Sequence, residues 1–113
     1  MSEGKAMVYL YGFSTLLEDK LENLIRIIEN HVKQKRALTF IFIHDGVIGT
    51  SVKTRVSDAL KKLLQIPIRF YALIPDLKAR GIEINNLRED IDGIEYDDLV
   101  DILASTPKIV SWI

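Results

Sequence analysis

The sequence predicts a three-layer α/β/α domain around a mostly parallel sheet of about five strands, and two observations support this. Short apolar runs rich in β-branched and aromatic residues recur along the chain, as in strands that are buried on both faces. Segments with helical character separate these runs, so helices are expected on both faces of the sheet. With 113 residues and no linker or repeat, the chain fits one domain over residues 1–113.

Five segments have the composition of strands. The first covers residues 6–11, the strongest covers 38–43, and the third covers 68–74, where Pro75 is expected to end it. A short fourth strand is predicted at 94–96 and a last one at 109–112, whereas residues 82–92 look irregular.

Helices are predicted at residues 15–34, from about residue 51, at 76–80 and at 97–105. Thr15 and Glu18 have the spacing of a capping box at the start of the first helix. Ser51 is the expected N-cap of the second helix, and Gly81 closes the short third one. The apolar face of the second helix is predicted to comprise Val52, Val56, Ala59, Leu60 and Leu63.

Composition excludes several classes of function. The net charge of −1 argues against a surface built to hold nucleic acid or an anionic membrane, so direct contact with nucleic acid is not expected. The absence of cysteine excludes a disulfide, a catalytic thiol and a persulfide carrier. Two histidines, His31 and His44, are too few and too poorly spaced for a zinc site, and no metal or cofactor is predicted.

The sequence also indicates where the protein acts. Its N-terminus lacks the basic start and long apolar region of a signal peptide. The longest apolar run, residues 38–43, is far shorter than the roughly 20 residues needed to span a bilayer. A cytoplasmic protein without membrane contact is therefore expected.

Ligands of open α/β sheets bind beyond the carboxyl ends of the strands. That edge here carries residues 12–14, 44–46, 74–76 with Asp76, and 96–97. The candidate pocket residues are Ser14, His44, Asp45, Gly46 and Gly49. The loop at residues 46–51 is rich in small residues, and its amides offer a place for an anion before a helix. It lacks the lysine of a P-loop and the third glycine of a dinucleotide fingerprint, so a plain tight turn is favoured.

A hydrolytic set of Ser14, His44 and Asp45 is disfavoured. Adjacent residues of a continuing strand point to opposite sides, and Ser14 is more simply a turn residue. Asp45 is expected to hold a turn by accepting bonds from backbone amides. No catalytic residue is predicted, although a small-molecule or anion binder, or a hydrolase, that uses the 46–51 loop remains the alternative function.

Several segments resemble the DsrH/TusB family. Residues 43–47, Ile-His-Asp-Gly-Val, resemble the strand-end Q-D-G-V of that family, and residues 71–82 are similar to its Y-A-L-x-x-D-L-x-A-R-G-L. Residues 94–100 and the ending Val-Ser-Trp-Ile at 110–113 resemble its tyrosine-led helix and terminal S-W-L. The similarity covers nearly the whole chain in the right order.

The resemblance implies a DsrEFH-like fold and a place in a heterohexameric sulfur relay with DsrE/TusD-like and DsrF/TusC-like partners. In that relay, sulfur passes as a cysteine persulfide toward tRNA wobble-uridine thiolation or sulfur oxidation, and the DsrE/TusD-like subunit is the carrier. Some DsrH-type members have a cysteine in the first helix, near Leu24 here, but this chain has none. The resemblance therefore implies an accessory, non-enzymatic subunit that assembles with those partners or with itself.

The last strand is the predicted interface. Trp112 lies near the end of the sequence, where chain segments normally fray, so it needs a packing partner. Packing over the edge of its own core is one explanation. The other is that Trp112, with Ile109 and Ile113, anchors a subunit interface, where tryptophan is enriched.

Overall fold

The computed structural model describes residues 6–113, and its centre is one five-stranded parallel sheet. The strand order is β4-β3-β2-β1-β5, so β1 to β3 are interior and β4 and β5 form the edges. The predicted fold class is confirmed. The strands are β1 (Met7–Tyr11), β2 (Leu38–Phe42), β3 (Arg69–Leu73), β4 (Ile91–Ile94) and β5 (Lys108–Trp112).

The direction of the crossovers decides which face each helix covers. The chain steps from β1 to β2, β3 and β4 in one direction, and then returns across the whole sheet to β5. Because such crossovers are right-handed, the helix that precedes β5 lies on the face opposite the others. The helices are α1 (Glu18–Lys33), α2 (Asp58–Leu64), α3 (Ile74–Ala79) and α4 (Tyr96–Ser105).

The two faces are unequally covered. The larger core lies between the sheet and α1, α2 and α3, and it contains the aromatic side chains of Tyr9, Tyr11, Phe40 and Phe42. On the other face, α4 alone packs on a smaller core through Leu99, Ile102 and Leu103, each only partly buried. No residue of α4 is fully buried, so this face of the sheet is the thinner side of the domain.

The predicted capping box at the start of α1 is wrong. The helix begins at Glu18, with Leu17 at the N-cap position and no side-chain cap. The Thr15 hydroxyl instead donates to the Ile48 carbonyl at 2.6 Å, and the Glu18 carboxylate accepts from the Ala59 amide at 3.2 Å. Both side chains bond to another part of the chain, which local spacing does not reveal.

The predicted start of the second helix is also wrong. Helix α2 begins at Asp58, and its N-cap is Ser57, whose Oγ accepts from the Leu60 amide at 3.1 Å. Ser51 forms an isolated antiparallel bridge with Leu87, and Val52 is exposed rather than part of a buried helix face. Residues 52–56, between the loop and α2, therefore form no helix or strand. None of their side chains is fully buried, so no packing contact requires a regular element there.

The predicted elements near the fourth strand are displaced. The strand covers Ile91–Ile94 rather than 94–96, and a 3-10 turn, Ile84–Asn86, precedes it in the segment expected to be irregular. Tyr96 begins α4, because the Glu95 side chain and Asp98 form a capping box there. Pro75 does not terminate β3 directly, since it lies in the first turn of α3.

Candidate functional site

The loop that follows β2 has an unusual backbone at the carboxyl edge of the sheet. It forms a 3-10 turn, His44–Val47, and His44 has a φ of 50°, in the left-handed region that non-glycine residues seldom adopt. The His44 amide donates to the Asp76 carboxylate at 2.7 Å, which holds this conformation, while the His44 side chain is exposed. A residue in the first turn of α3 thus fixes the end of β2.

Asp45 is tied to the same helical turn by a second contact. Arg80 donates to Asp45 Oδ1 from Nε at 3.2 Å and from Nη2 at 3.0 Å, and also to the Asp76 carbonyl. The expectation that Asp45 accepts backbone amides is therefore not met, since Asp76 has that role. Asp45, Asp76 and Arg80 together join the β2 loop to α3, and we call this set the loop clamp.

Gly46 and Gly49 are required by close packing of this loop against the rest of the domain. A Cβ at Gly46 would lie 2.1 Å from the Tyr11 carbonyl oxygen, at the end of β1. Gly49 has a φ of 99°, and a Cβ there would lie 1.9 Å from Thr15 Oγ1. Their role in this structure is to allow the loop to approach the end of β1 and the segment before α1.

The 46–51 loop uses its polar backbone for internal contacts. Besides the Thr15 bond to Ile48, Arg88 Nε donates to the Gly49 carbonyl at 3.0 Å, and Arg88 Nη2 donates to the Thr54 carbonyl at 2.7 Å. Burial lowers the pKa of Arg88 from its usual value, but its side chain stays charged because that value is so high. The anion hypothesis assumed that this loop leads directly into a helix N-terminus. It does not, because α2 begins only at Asp58.

Ser14 lies in the turn before α1, where its Oγ accepts from the Leu16 amide at 3.2 Å. The carboxylate of Asp45 is paired with Arg80, and His44 reaches Asp76 through its backbone. These contacts hold turns, and they do not link Ser14, His44 and Asp45 into a hydroxyl–imidazole–carboxylate relay. Among residues 6–113, no group of three or more potential ligand side chains is placed to hold a metal ion.

A buried tyrosine and a histidine pair below the last turn of α1. The Tyr9 hydroxyl lies 2.5 Å from His31 Nδ1. Burial, followed by the positive charges of Arg36 and Lys108, lowers the pKa of His31. Burial also raises the pKa of Tyr9, so the Tyr9 hydroxyl keeps its proton and donates a hydrogen bond to the neutral imidazole.

The three predicted interface residues lie on two different faces of β5. Trp112 is partly buried and packs, with Val110, on the larger core beside α1. Ile109 and Ile113 alternate with them and are 44% and 65% exposed. They lie on the same side of the sheet as α4, whose Tyr96 and Val100 are 55% and 60% exposed. We call these four side chains the α4–β5 surface.

With this geometry established, comparison with known proteins gives the family. The family model described as "DsrH like protein" matches residues 14–109, which is most of the chain. The chain belongs to the DsrH-like family. The DsrH/TusB resemblance found in the sequence is thereby confirmed.

Curated relatives of this DsrH-like chain carry the name Protein TusB. The protein from Pectobacterium atrosepticum is 30% identical over 92 residues, which cover 81% of this chain and 86% of that protein. The protein from Escherichia coli K12 is 32% identical over 72 residues, covering 64% of this chain and 72% of that protein.

Two solved structures share the fold of the DsrH-like chain at low sequence identity. The ychN protein from E. coli superposes with a TM-score of 0.77 at 15% identity, covering 95% of this chain and 98% of that one. MTH1491, a protein of unknown function from Methanobacterium thermoautotrophicum, has a TM-score of 0.73 at 17% identity, covering 94% and 97%.

The family-like segments of this DsrH-like chain meet in space. Asp45 and Gly46 come from one segment, Asp76 and Arg80 from the next, and the loop clamp joins them. Sequence reasoning placed Asp45 and Gly46 at the site and Asp76 at the same edge of the sheet, but it missed Arg80. The one signal for Arg80 was its position in the second family-like segment, and nothing in the sequence indicated Arg88. No helix in residues 6–113 has the length and apolar character needed to cross a membrane.

Proposed function

We propose that this chain is an accessory subunit of a cytoplasmic sulfur-relay assembly, in which DsrE/TusD-like and DsrF/TusC-like subunits are its partners. Membership of the DsrH-like family in a chain without cysteine carries the proposal. Relay of sulfane sulfur requires a thiolate to accept it, and this chain has none. Its contribution is then to bind and position the subunits that do carry persulfide, rather than to catalyse a reaction.

The α4–β5 surface supports a binding role. Tyr96 and Val100 are four residues apart, so they lie on one exposed stripe of α4. Apolar side chains grouped on a thinly covered face are typical of subunit interfaces, where tyrosine is enriched. We therefore assign this stripe to contact with the DsrE-like or DsrF-like subunit.

The loop clamp supports the same role. Its two acids and one arginine bond to each other and to backbone, which keeps the carboxyl edge of the sheet in one shape. A fixed loop presented beside a partner gives a defined contact surface. It does not require that any side chain of the clamp react.

Assembly is tested by purifying the tagged chain after coexpression with DsrE-like and DsrF-like subunits. We expect one complex that contains all three in sedimentation analysis. Val100→Asp should dissociate a partner, because it places a charge in the stripe. The matched control is Val52→Asp, since Val52 is 58% exposed but lies outside this surface. A wild-type chain that binds neither partner would refute the proposal.

Sulfur transfer is tested by mass spectrometry of the intact complex after treatment with a persulfide donor. We expect added sulfur on the DsrE-like subunit and an unchanged mass for this chain. Sulfur stably bound to this chain would contradict the accessory role. Measuring 2-thiouridine in tRNA and the rate of sulfur oxidation in a deletion strain then shows which of the two pathways the assembly serves.

A further inference from the structure

The amino edge of the sheet, opposite the loop clamp, brings together basic side chains from different elements. Lys108 begins β5 and lies opposite Met7 of β1 in the parallel register. Paired residues of a sheet point to the same face, so Lys108 lies on the face covered by α1, as Met7 and Tyr9 do. The Tyr9 hydroxyl bonds to His31 of α1, and the positive charge of Lys108 acts on that imidazole.

The turn after α1 returns Arg36 to the same place. Lys35 has a φ of 60°, and this left-handed residue reverses the chain so that the Arg36 amide donates to the His31 carbonyl at 3.2 Å. The following residue is fixed to β1, because the Met7 amide donates to the Ala37 carbonyl at 2.8 Å. Backbone strain at a non-glycine residue is found preferentially at ligand-binding sites.

These cations are not used to cap the helix. Basic side chains after a helix commonly bond to its last carbonyls, but here the carbonyls of residues 30–32 accept from backbone amides. Arg36 Nε donates to the Gln34 side chain at 3.3 Å, which orients the guanidinium and leaves its two terminal nitrogens. Within residues 6–113, neither Arg36 nor Lys108 forms an ion pair with a carboxylate.

Tyr9 determines which nitrogen of His31 is a donor. Because Nδ1 accepts from the Tyr9 hydroxyl, the proton of the neutral imidazole is on Nε2. In the part of the chain that the structure describes, the charges that act on His31 are those of Arg36 and Lys108, and both are positive. One N–H donor beside two cations is a donor set for an oxyanion.

We propose that His31, Arg36 and Lys108 bind a phosphate group. The terminal nitrogens of Arg36 donate as a fork to two phosphate oxygens, Lys108 pairs with the remaining charge, and His31 Nε2–H donates to a third oxygen. The donors come from α1, from the turn after it and from β5, which suits a tetrahedral anion better than a planar carboxylate. The charge of nearly −2 on phosphate at neutral pH matches the two cations.

This site goes beyond the proposed function and does not use the α4–β5 surface. Lys108 and Ile109 are adjacent in β5, so their side chains point to opposite faces of the sheet. Phosphate binding therefore needs no partner subunit, and it is measured on the full chain alone.

Calorimetric titration with inorganic phosphate at constant ionic strength tests the donors. Arg36→Gln and Lys108→Gln should each weaken binding about tenfold, because each removes a charged hydrogen-bond donor. Lys33→Gln is the matched control, since Lys33 carries the same charge on the last turn of α1 but lines the groove beside α2. Equal weakening in Lys33→Gln, or no phosphate binding by the wild-type chain, would overturn the site.

NMR titration of the two histidines gives a second measurement. A bound phosphate should raise the pKa of His31 relative to chloride of equal ionic strength, because the anion stabilises the imidazolium. Arg36→Gln should reduce this rise, and the exposed His44 is the control within the same spectrum. An equal rise at His44, or no rise at His31, would overturn the proposal.

The phosphate group can come from a free ion or from a monoester, and a parallel titration with a nucleoside monophosphate distinguishes these sources. Tighter binding of the nucleotide supports an ester ligand at this site, and tighter binding of inorganic phosphate supports the free ion. In both cases the affinity should depend on Arg36 and Lys108. Binding of both compounds that is unchanged in Arg36→Gln and Lys108→Gln would overturn the site, whereas a failure to bind the DsrE-like and DsrF-like subunits would overturn the proposed function alone.

Discussion

Arg80 donates two hydrogen bonds to a single carboxylate oxygen of Asp45, although the two residues are 35 positions apart in the sequence. The Asp45 side chain of this ion pair is 63% exposed to solvent. An exposed ion pair contributes less than about 1 kcal/mol to stability. The main effect of the contact is therefore geometric, since it fixes the β2 loop against α3 next to the strained His44 backbone.

His44→Gly should relieve that backbone strain. Glycine adopts a positive φ without the Cβ conflict, so we expect His44→Gly to be more stable than His44→Ala by about 1 kcal/mol. Urea denaturation of both variants measures the difference. Both variants lack the imidazole, so equal stability of the two would show that the positive φ at residue 44 stores no strain.

Gly46→Ala should be strongly destabilising. The added Cβ would overlap the Tyr11 carbonyl oxygen, and that backbone atom belongs to an interior strand and cannot move freely. We expect a loss of about 3 kcal/mol or more, of the size caused by overpacking. Gly81→Ala is the control, because Gly81 has a φ of 69° but open space around it. It should lose only about 1 kcal/mol in thermal and urea unfolding. Equal losses in the two variants would show that the contact with the Tyr11 carbonyl does not govern Gly46.

Ser57→Ala should destabilise the start of α2. It removes the bond from the Leu60 amide, and it leaves the buried Thr15 carbonyl without the 2.9 Å bond from Ser57 Oγ. We expect a loss of about 1–2 kcal/mol. Ser51→Ala, at the N-cap position that the sequence suggested, should cost less, since Ser51 Oγ accepts one bond, from Lys53. The reverse ranking in denaturation would favour the sequence-based helix start.

The two buried tyrosines of β1 should respond differently to loss of the hydroxyl. Tyr9→Phe breaks the bond to His31, so we expect a loss of about 1 kcal/mol. Within residues 6–113 the Tyr11 hydroxyl has no hydrogen-bond partner, and burial raises its pKa to about 12. Tyr11→Phe should therefore be neutral or stabilising in the same unfolding assay. A loss equal to that of Tyr9→Phe would indicate a bound water at Tyr11.

Stability should fall in mildly acidic solution because of His31. Its pKa is below 6.5 in the folded protein, owing first to burial and then to Arg36 and Lys108. The unfolded chain therefore binds a proton at higher pH than the folded one. The free energy of unfolding should decrease as pH falls through 6.5 and level off below the folded pKa.

Substitution identifies the group responsible for this pH dependence. His31→Gln should flatten the slope of stability against pH between neutral and mildly acidic solution, because glutamine does not titrate. His44→Gln is the matched control, because it removes the other histidine of the chain, whose side chain is exposed. A slope that persists in His31→Gln and vanishes in His44→Gln would contradict the assignment.

The elements predicted correctly are those whose signal is local. The run at 38–43 is apolar at every position except Thr39 and β-branched or aromatic at most positions, so it predicts a buried strand whatever surrounds it. The stripe of Leu21, Leu24 and Ile28 likewise requires a helix with one buried face, and all three are buried. For the weaker segments, the predicted boundaries were wrong. Ser51 and Ser57 are equally good N-caps by residue type. The choice between them depends on Thr15, which is 42 residues away from Ser57.

The sequence by itself determined the layered α/β class, the family and the lack of a sulfur-carrying thiol, because buried strand runs, motif letters and residue counts are properties of the chain alone. Only the tertiary structure decided that Asp76 and Arg80 hold the β2 loop, that Arg88 closes the 46–51 loop, and that Trp112 faces the core while Ile109 and Ile113 face solvent. Each of these depends on a contact between residues far apart in sequence. Such contacts form only when the sheet order brings the strand ends together.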